Sequence, residues 1–393
     1  MNDQHPLASV NGLSRRSVLK AGVATALSLA GGGALPVALS AAPAPTRPPA
    51  AGNTSADFGK AWAGENLRGG ESFILPSMTP DFKGVDEERL RREVRHSIAQ
   101  GFCSIQPLPL GVRAEQRRLM NNVVADEARG NILLVGQSEH CSHSLLYFND
   151  RLGTQDEMYE QVASSIAQTD RAIVLYARPR DATRRLDPTG LPLDAFDRLA
   201  DLDQVVAVKF TQLLRPAAAY AVARRLGDRL LLGVVDLELM LTLSLEYPMQ
   251  WTGQWAVDSL QSPEKPWVGQ FLALLSEGRH DEAYRLYWEF EPAATAFYEL
   301  QAPSLSIGGH PWLHIKYLKW LTGGNGGLLA DLNESEAAMP HLDREGRAKC
   351  RQALESVGIE TVGRPDESFA VGNAAYDRGV RASDLPALPQ YIA

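Results

Sequence analysis

From residue 72 the chain alternates short apolar runs with longer segments in which apolar residues return every three or four positions. The short runs have the length and β-branched content of buried strands, and the longer segments have the period of amphipathic helices. Strand candidates are SFILPS (72–77), FCSIQPL (102–108), NILLVGQ (131–137), SLLYFN (144–149), RAIVLYA (171–177), VVAVKF (205–210), LLLGVVD (230–236) and the region around QWAV (254–257). Helical patterns separate most of them: DEERLRREVRHSIAQ (86–100), EQRRLMNNVVADEA (115–128), DEMYEQVASSIAQ (156–168) and AAAYAVARRL (217–226). Short apolar strands spaced by helices make a parallel sheet, and about eight such units close into an α/β architecture of the (β/α)₈ TIM-barrel type. No glycine-rich dinucleotide or phosphate fingerprint follows the first strand, which disfavours an open doubly wound sheet.

One crossover breaks the alternation. Only SEHCSH (138–143) separates the third strand candidate from the fourth, whereas parallel neighbours ordinarily need a dozen or more connecting residues. Either the two runs are not adjacent parallel strands, or 138–152 form a substitute helix or loop and one barrel strand is missing or distorted, leaving a truncated βα unit. Beyond the eighth strand, the segments 267–300, 310–321 and 343–358 read as helices of a C-terminal extension packed on the barrel. The expected division is therefore a signal segment over 1–42, a linker over 43–70, the barrel over 71–263, the last barrel helix and helical extension over 264–360, and a mostly irregular tail over 361–393.

Composition adds bounds. With 45% hydrophobic and 22% charged residues the chain can bury a large core, and a net charge of -8 without a basic block excludes a phosphate backbone as partner. The N-terminus is more specific. Ser14-Arg15-Arg16-Ser17-Val18-Leu19-Lys20, followed by a Gly- and Ala-rich apolar stretch and small residues, is a twin-arginine export pattern, with processing expected between Ala38 and Ala44. A periplasmic protein that meets the twin-arginine translocase during export is the expectation. Cys103, Cys141 and Cys350 are too few and too scattered for a disulfide framework.

Two residues carry the chemistry. Lys209 closes VVAVKF and Tyr176 closes RAIVLYA one βα unit earlier, so a barrel turns both toward the mouth where catalysis takes place. Desolvation by Val206, Val208 and Phe210 disfavours an ammonium and favours a neutral amine able to attack a carbonyl, while a neighbouring tyrosine hydroxyl shuttles protons as the carbinolamine dehydrates. Taken singly, the lysine is equally a strand-end residue that snorkels to solvent and the tyrosine a core aromatic. It is the pair, one unit apart, that points to catalysis. Glu139, His140, Cys141 and His143 offer metal-ligand types without ligand spacing, so SEHCSH reads as a polar loop and no metal is expected. The aromatic run HPWLHIKYLKWL reads as core and interface surface.

The order of these residues resembles the dihydrodipicolinate synthase and N-acetylneuraminate lyase family, class I aldolase-type barrels that form a Schiff base between a lysine and a 2-oxo acid. Thr79-Pro80 with Phe82, Gly84, Val85 and Asp86 resembles the family's opening motif, LYARP around Tyr176 its LYNxP, and VVAVKF around Lys209 its IVGIK strand. Gly233 and Asp236, the span from Gly253 to Pro263, and LSEGRHDEAYRLY (275–287) continue the likeness, which covers about 72–360. The departures are equally specific. The family's GTTGE loop is GVRAE here, with both carboxylate-holding threonines absent; the asparagine after the tyrosine is Ala177; Asp181 stands where the synthases carry an arginine, and Leu260 replaces an asparagine. The shortened third and fourth units also remove the setting of the loop through which a neighbouring subunit lends a tyrosine, leaving Tyr147 as the nearby candidate.

The resemblance implies Lys209 as nucleophile and Tyr176 as proton relay, with Thr79, Gly111, Arg113, Arg178, Arg180, Val257 and Tyr147 as candidate substrate-binding residues. It implies a small carbonyl substrate, a dimer or tetramer of this chain, and no cofactor, because a protonated imine is itself the electron sink. An exported binding protein that keeps the barrel without catalysis is the alternative, favoured by the altered GVRAE loop.

Overall fold

The computed structural model describes residues 59–149, 151–211, 215–253, 257–305, 310–330, 340–386 and 391. The expected signal segment, and the linker as far as residue 58, lie outside the described residues.

Helix α1 (Lys60–Asn66) leads into strand β1 (Gly69–Ile74), so the expected linker ends by Lys60 and the first strand starts three residues before SFILPS. The alternation then runs α2 (Glu87–Ala99), β2 (Ser104–Pro107), α3 (Ala114–Ala128), β3 (Leu133–Leu134), β4 (His143–Leu146), α4 (Gln155–Ile166) and β5 (Ala172–Ala177). It continues with α5 (Leu193–Leu199), β6 (Val205–Phe210), α6 (Pro216–Leu226), β7 (Leu231–Val234), α7 (Leu237–Leu243) and β8 (Trp251–Gly253). The last strand is Trp251–Gly253 rather than the QWAV region, of which 254–256 lie outside the described residues and Val257 begins a 3-10 turn. The helices start where side chains satisfy their free N–H groups: Asp86 accepts from Arg89 N at α2, Thr154 and Glu157 form a reciprocal box at α4, and Asp236 accepts from Leu239 N at α7.

The sheet order is β3-β2-β1-β8-β7-β6-β5-β4, with every pairing parallel, and the two ends meet through a single parallel bridge between Val135 and His143. The barrel closes there with no helix between β3 and β4. Turn residues 136–142 make the crossing, held by Gly136 N to His143 O at 3.0 Å and Ser142 N to Leu134 O at 2.9 Å. The truncated unit foreseen in the sequence is thus a lost helix, and the strand it precedes is present.

Two apolar layers hold the barrel. An outer layer packs strands against helices, with Ile105, Val208, Phe210 and Phe271 among its members; an inner cluster fills the barrel itself with Leu133, Leu145, Val174, Ala207 and Trp251. Trp62, Ala63 and Leu67 of α1 belong to the inner cluster, so this helix plugs the base of the barrel. Lys60 Nζ to Ala200 O and Gln250 Nε2 to Leu67 O fasten it there. Gly233 permits the filling, because a Cβ at that position stands 2.2 Å from the Trp251 ring.

After the barrel, α8 (Trp267–Ser276) and α9 (His280–Leu305) divide at Gly278, whose φ of 72° ends the first helix where the sequence pattern reads as one. Helices α10 (Trp312–Leu321) and α11 (Arg344–Ser356) complete the extension. The tail is more ordered than expected: α12 (Glu367–Val371) and α13 (Asn373–Asp377) lie in it, and Tyr391 pairs with Leu342. The three cysteines are free.

Candidate active site

Side chains on alternate positions of each strand enter the barrel. On β6 these are Ala207 and Lys209, on β5 Val174 and Tyr176, and the register sets Tyr176 directly opposite Lys209. Tyr176 and Lys209 therefore share the interior near the C-terminal strand ends, as their spacing in the sequence requires.

Lys209 does not sit there as an isolated amine. Its Nζ donates to Oε1 of Glu71 on β1 at 2.8 Å, with Glu71 fully buried and Lys209 2% exposed. The expectation of an ammonium stripped of support by Val206, Val208 and Phe210 is corrected accordingly: the charge has a carboxylate beneath it. His143 Nε2 stands 3.6 Å from the other Glu71 oxygen, and Ser104 Oγ donates to that oxygen at 3.4 Å. Burial pushes the Glu71 carboxyl up, but the Lys209 charge and its hydrogen bond, with His143 close by, outweigh it and bring the group down to about 2. Glu71 is a carboxylate at any neutral pH. Gly253 on β8 leaves room for the pair, since a Cβ there lies 2.6 Å from Glu71 Oε1 and 2.8 Å from Lys209 Nζ.

Above the pair the walls are aromatic. The Phe73 ring centroid is 5.2 Å from Lys209 Nζ, Phe73 meets Trp312 edge-on at 6.3 Å, and Trp312 meets His310 at 4.8 Å. On the other side Tyr147 packs on Tyr176 with ring centroids 4.5 Å apart. Tyr147 is exposed as a residue, yet its hydroxyl interacts with Gln106 and is pushed above its ordinary value by burial, then by Tyr176 and Glu71. Burial, with Arg178 adding, brings His310 down to about 4, and Arg178 also acts on Tyr147, so its guanidinium belongs to the mouth.

The other sequence candidates sort differently. Thr79 Oγ1 donates to Asp81 and accepts from Gly84 N at 3.0 Å, closing the turn that leads to α2. Gly111 takes a φ of 66° in the loop after β2. Arg113 caps α3 and donates to Lys83 O at 3.0 Å, where Gln116 Nε2 also donates, so it ties one loop to the next. Arg180 is exposed, and its backbone N–H bonds Gly190 O at 3.0 Å. Val257 is a correction. It is fully buried in the outer layer, close behind Gly70, and does not face the mouth. His143 is a second correction: the residue read as part of a polar loop opens β4 and is buried beneath the site, while His140 stays at the surface 3.7 Å from Glu139.

Sequence reasoning missed Glu71, the buried place of His143 beside it and the Phe73–Trp312–His310 wall. The signal for Glu71 was the same as for Lys209, a charge inside a strand, but the strand had been begun one residue too late to include it.

No protein-family model matches this chain, and no curated protein matches it in sequence. Dihydrodipicolinate synthase from Aquifex aeolicus superposes with a TM-score of 0.56 at 16% identity, over 75% of this chain and 99% of that one. N-acetylneuraminate lyase from Fusobacterium nucleatum gives 0.55 at 15% identity, over 74% and 99%. The chloride-inhibited dihydrodipicolinate synthase from Acinetobacter baumannii, solved with pyruvate, gives 0.55 at 17% identity, over 75% and 99%. This chain has the barrel of those enzymes.

Proposed function

We propose that this protein is a lyase of the class I aldolase type, related to the dihydrodipicolinate synthases and N-acetylneuraminate lyases, in which Lys209 forms a Schiff base with a 2-oxo acid or related carbonyl compound. The observation that carries this reading is the register pairing of Tyr176 with Lys209 inside a barrel of that fold. One ammonium proton of Lys209 passes through the Tyr176 hydroxyl to the carbonyl oxygen as the freed nitrogen lone pair attacks the carbonyl carbon, and a second follows by the same route so that water leaves. Tyr147, packed on Tyr176, extends the relay toward solvent. Arg178 is the cation at the mouth suited to a substrate carboxylate, a task for which GVRAE has no threonine. Export by the twin-arginine route belongs to the same proposal, and fractionation of cells making the wild type or an Arg15→Lys/Arg16→Lys chain tests it.

The chemistry is tested by borohydride reduction with pyruvate first, then a panel of 2-oxo acids, followed by peptide mass mapping. An adduct on Lys209 that Lys209→Arg abolishes is the expected result. Tyr176→Phe is expected to slow adduct formation by about 10²–10⁴-fold, the usual worth of a positioned proton donor. Absence of any adduct on the wild type across the panel leaves the exported binding protein as the better account.

A further inference from the structure

The pair beneath the mouth has a consequence for the Schiff base, and it rests on the reading just proposed. We infer that Glu71 is the permanent counter-charge of the Lys209 imine, holding the imine nitrogen protonated throughout turnover.

Glu71 Oε1 is 2.8 Å from Lys209 Nζ, and its other oxygen meets Ser104 and His143, the first residues of β2 and β4, so the carboxylate lies toward the barrel base from a lysine that is next to last in β6, with Gly253 clearing the space beside the pair. The carbonyl compound arrives from the mouth, past Tyr176 and Phe73. Substrate and carboxylate therefore approach the nitrogen from opposite sides, and neither displaces the other.

An ammonium and a ketone condense to a protonated imine and one water: a C–N bond forms, the C–O bond breaks, and two of the three ammonium protons leave in the water. The third stays on nitrogen, facing Glu71. The nitrogen bears a single positive charge before and after, so the buried carboxylate keeps its partner and no proton need cross to solvent. Loss of the last proton would strand a fully buried carboxylate without a charge opposite it, which is far more costly than keeping the pair. The protonated imine is also the form that draws electrons from the neighbouring carbon.

Other groups face the pair. His143 approaches from β4, Ser104 from β2 and Cys103 from just before it, Tyr147 from beyond β4 and Tyr176 from β5. Burial pushes the Cys103 thiol up to about 12, so it stays uncharged at neutral pH. Among these neighbours His143 is the imidazole standing 3.6 Å from the Glu71 carboxylate, and the test separates its part from that of Glu71.

Wild type, Glu71→Gln, Glu71→Asp and His143→Gln are each treated with pyruvate and the 2-oxo acid panel, reduced with borohydride from about pH 6 to about pH 9, and the Lys209 adduct quantified by mass. Wild type and His143→Gln are expected to give nearly flat profiles. Glu71→Gln is expected to lose about tenfold or more of its adduct toward the alkaline end, the effect of withdrawing one adjacent opposite charge. Glu71→Asp, which keeps the charge but shortens the arm, should decline with intermediate steepness and carries the test should the glutamine variant fail to fold. A Glu71→Asp or Glu71→Gln profile that parallels wild type, or a slope that follows His143 instead, overturns the counter-charge while leaving the Schiff base intact. No adduct on wild type with any probe overturns both.

Discussion

Gly253 acts through the side chain it lacks. Its missing Cβ is the space in which the Glu71 carboxylate and the Lys209 ammonium meet, and the interior around them is already filled by Leu145, Val174 and Trp251. Gly253→Ala therefore forces the pair apart, with nowhere for either end to go. Overpacking of this kind costs about 1–3 kcal/mol, read as a lower unfolding midpoint in urea, and the borohydride-trapped adduct on Lys209 is expected to fall with it. A variant as stable and as reactive as wild type would show that the pair tolerates separation. The same residue scale explains what could be read in advance. Lys209 was conspicuous because an apolar run led up to it. Glu71 follows Gly69-Gly70, which carry no strand signal, so its strand was placed too late and its charge escaped notice.

At the scale of elements, α10 is the piece whose sequence misleads most. HPWLHIKYLKWL reads as an aromatic core helix, and every residue from Trp312 to Leu321 is indeed buried, yet two of them are lysines. Lys319 Nζ lies 3.0 Å from Glu93 on α2 and 3.4 Å from Asp258, and donates to Phe73 O at 2.7 Å; Lys316 donates to Pro76 O and to Ser77 Oγ. Asp258 in turn accepts from Ser72 Oγ at 2.6 Å and Phe73 N at 2.9 Å. The extension thus grips the outer face of β1 while Glu71 and Phe73 of that strand face the site. Periodicity cannot announce such a network, because its members lie on elements far apart in the chain. Lys319→Met leaves Glu93 and Asp258 buried without their cation and is expected to cost about 3–5 kcal/mol in urea unfolding. Adding Glu93→Gln and Asp258→Asn should recover much of that loss; no recovery would mean that packing of the lysine stem, rather than its charge, holds the helix.

For the whole molecule these buried groups set the response to acid. Burial holds His96, His310 and His314 down to about 4 when folded, against an ordinary 6.5, so the unfolded chain takes up protons first as pH falls from about 6.5 toward 4. Glu71 and Glu93 are brought down to about 2 against an ordinary 4.5, their lysine partners overcoming burial, so their contribution is intact above about 4.5 and drains away toward 2. Stability should therefore decline in two successive windows on acidification. Urea unfolding at a series of pH values checks it, and a flat stability between 6.5 and 4 would count against the buried histidines. Barrel, helical extension and the Tyr176–Lys209 pair were all legible from local pattern, since each depends on short-range periodicity or on one βα step. The base plug and the ion pairs were not, because each exists only once distant segments meet, and at the seam between β3 and β4 the sequence showed the short crossover but not the bridge that closes it. The plug in turn governs traffic. Trp62, Ala63 and Leu67 pack into the base, and the described residues close the barrel at that end. On the proposed Schiff-base reading, a compound joined to Lys209 at depth is expected to come in before any co-substrate and depart after it, so that a reaction of two partners runs in a fixed sequence, last in and first out.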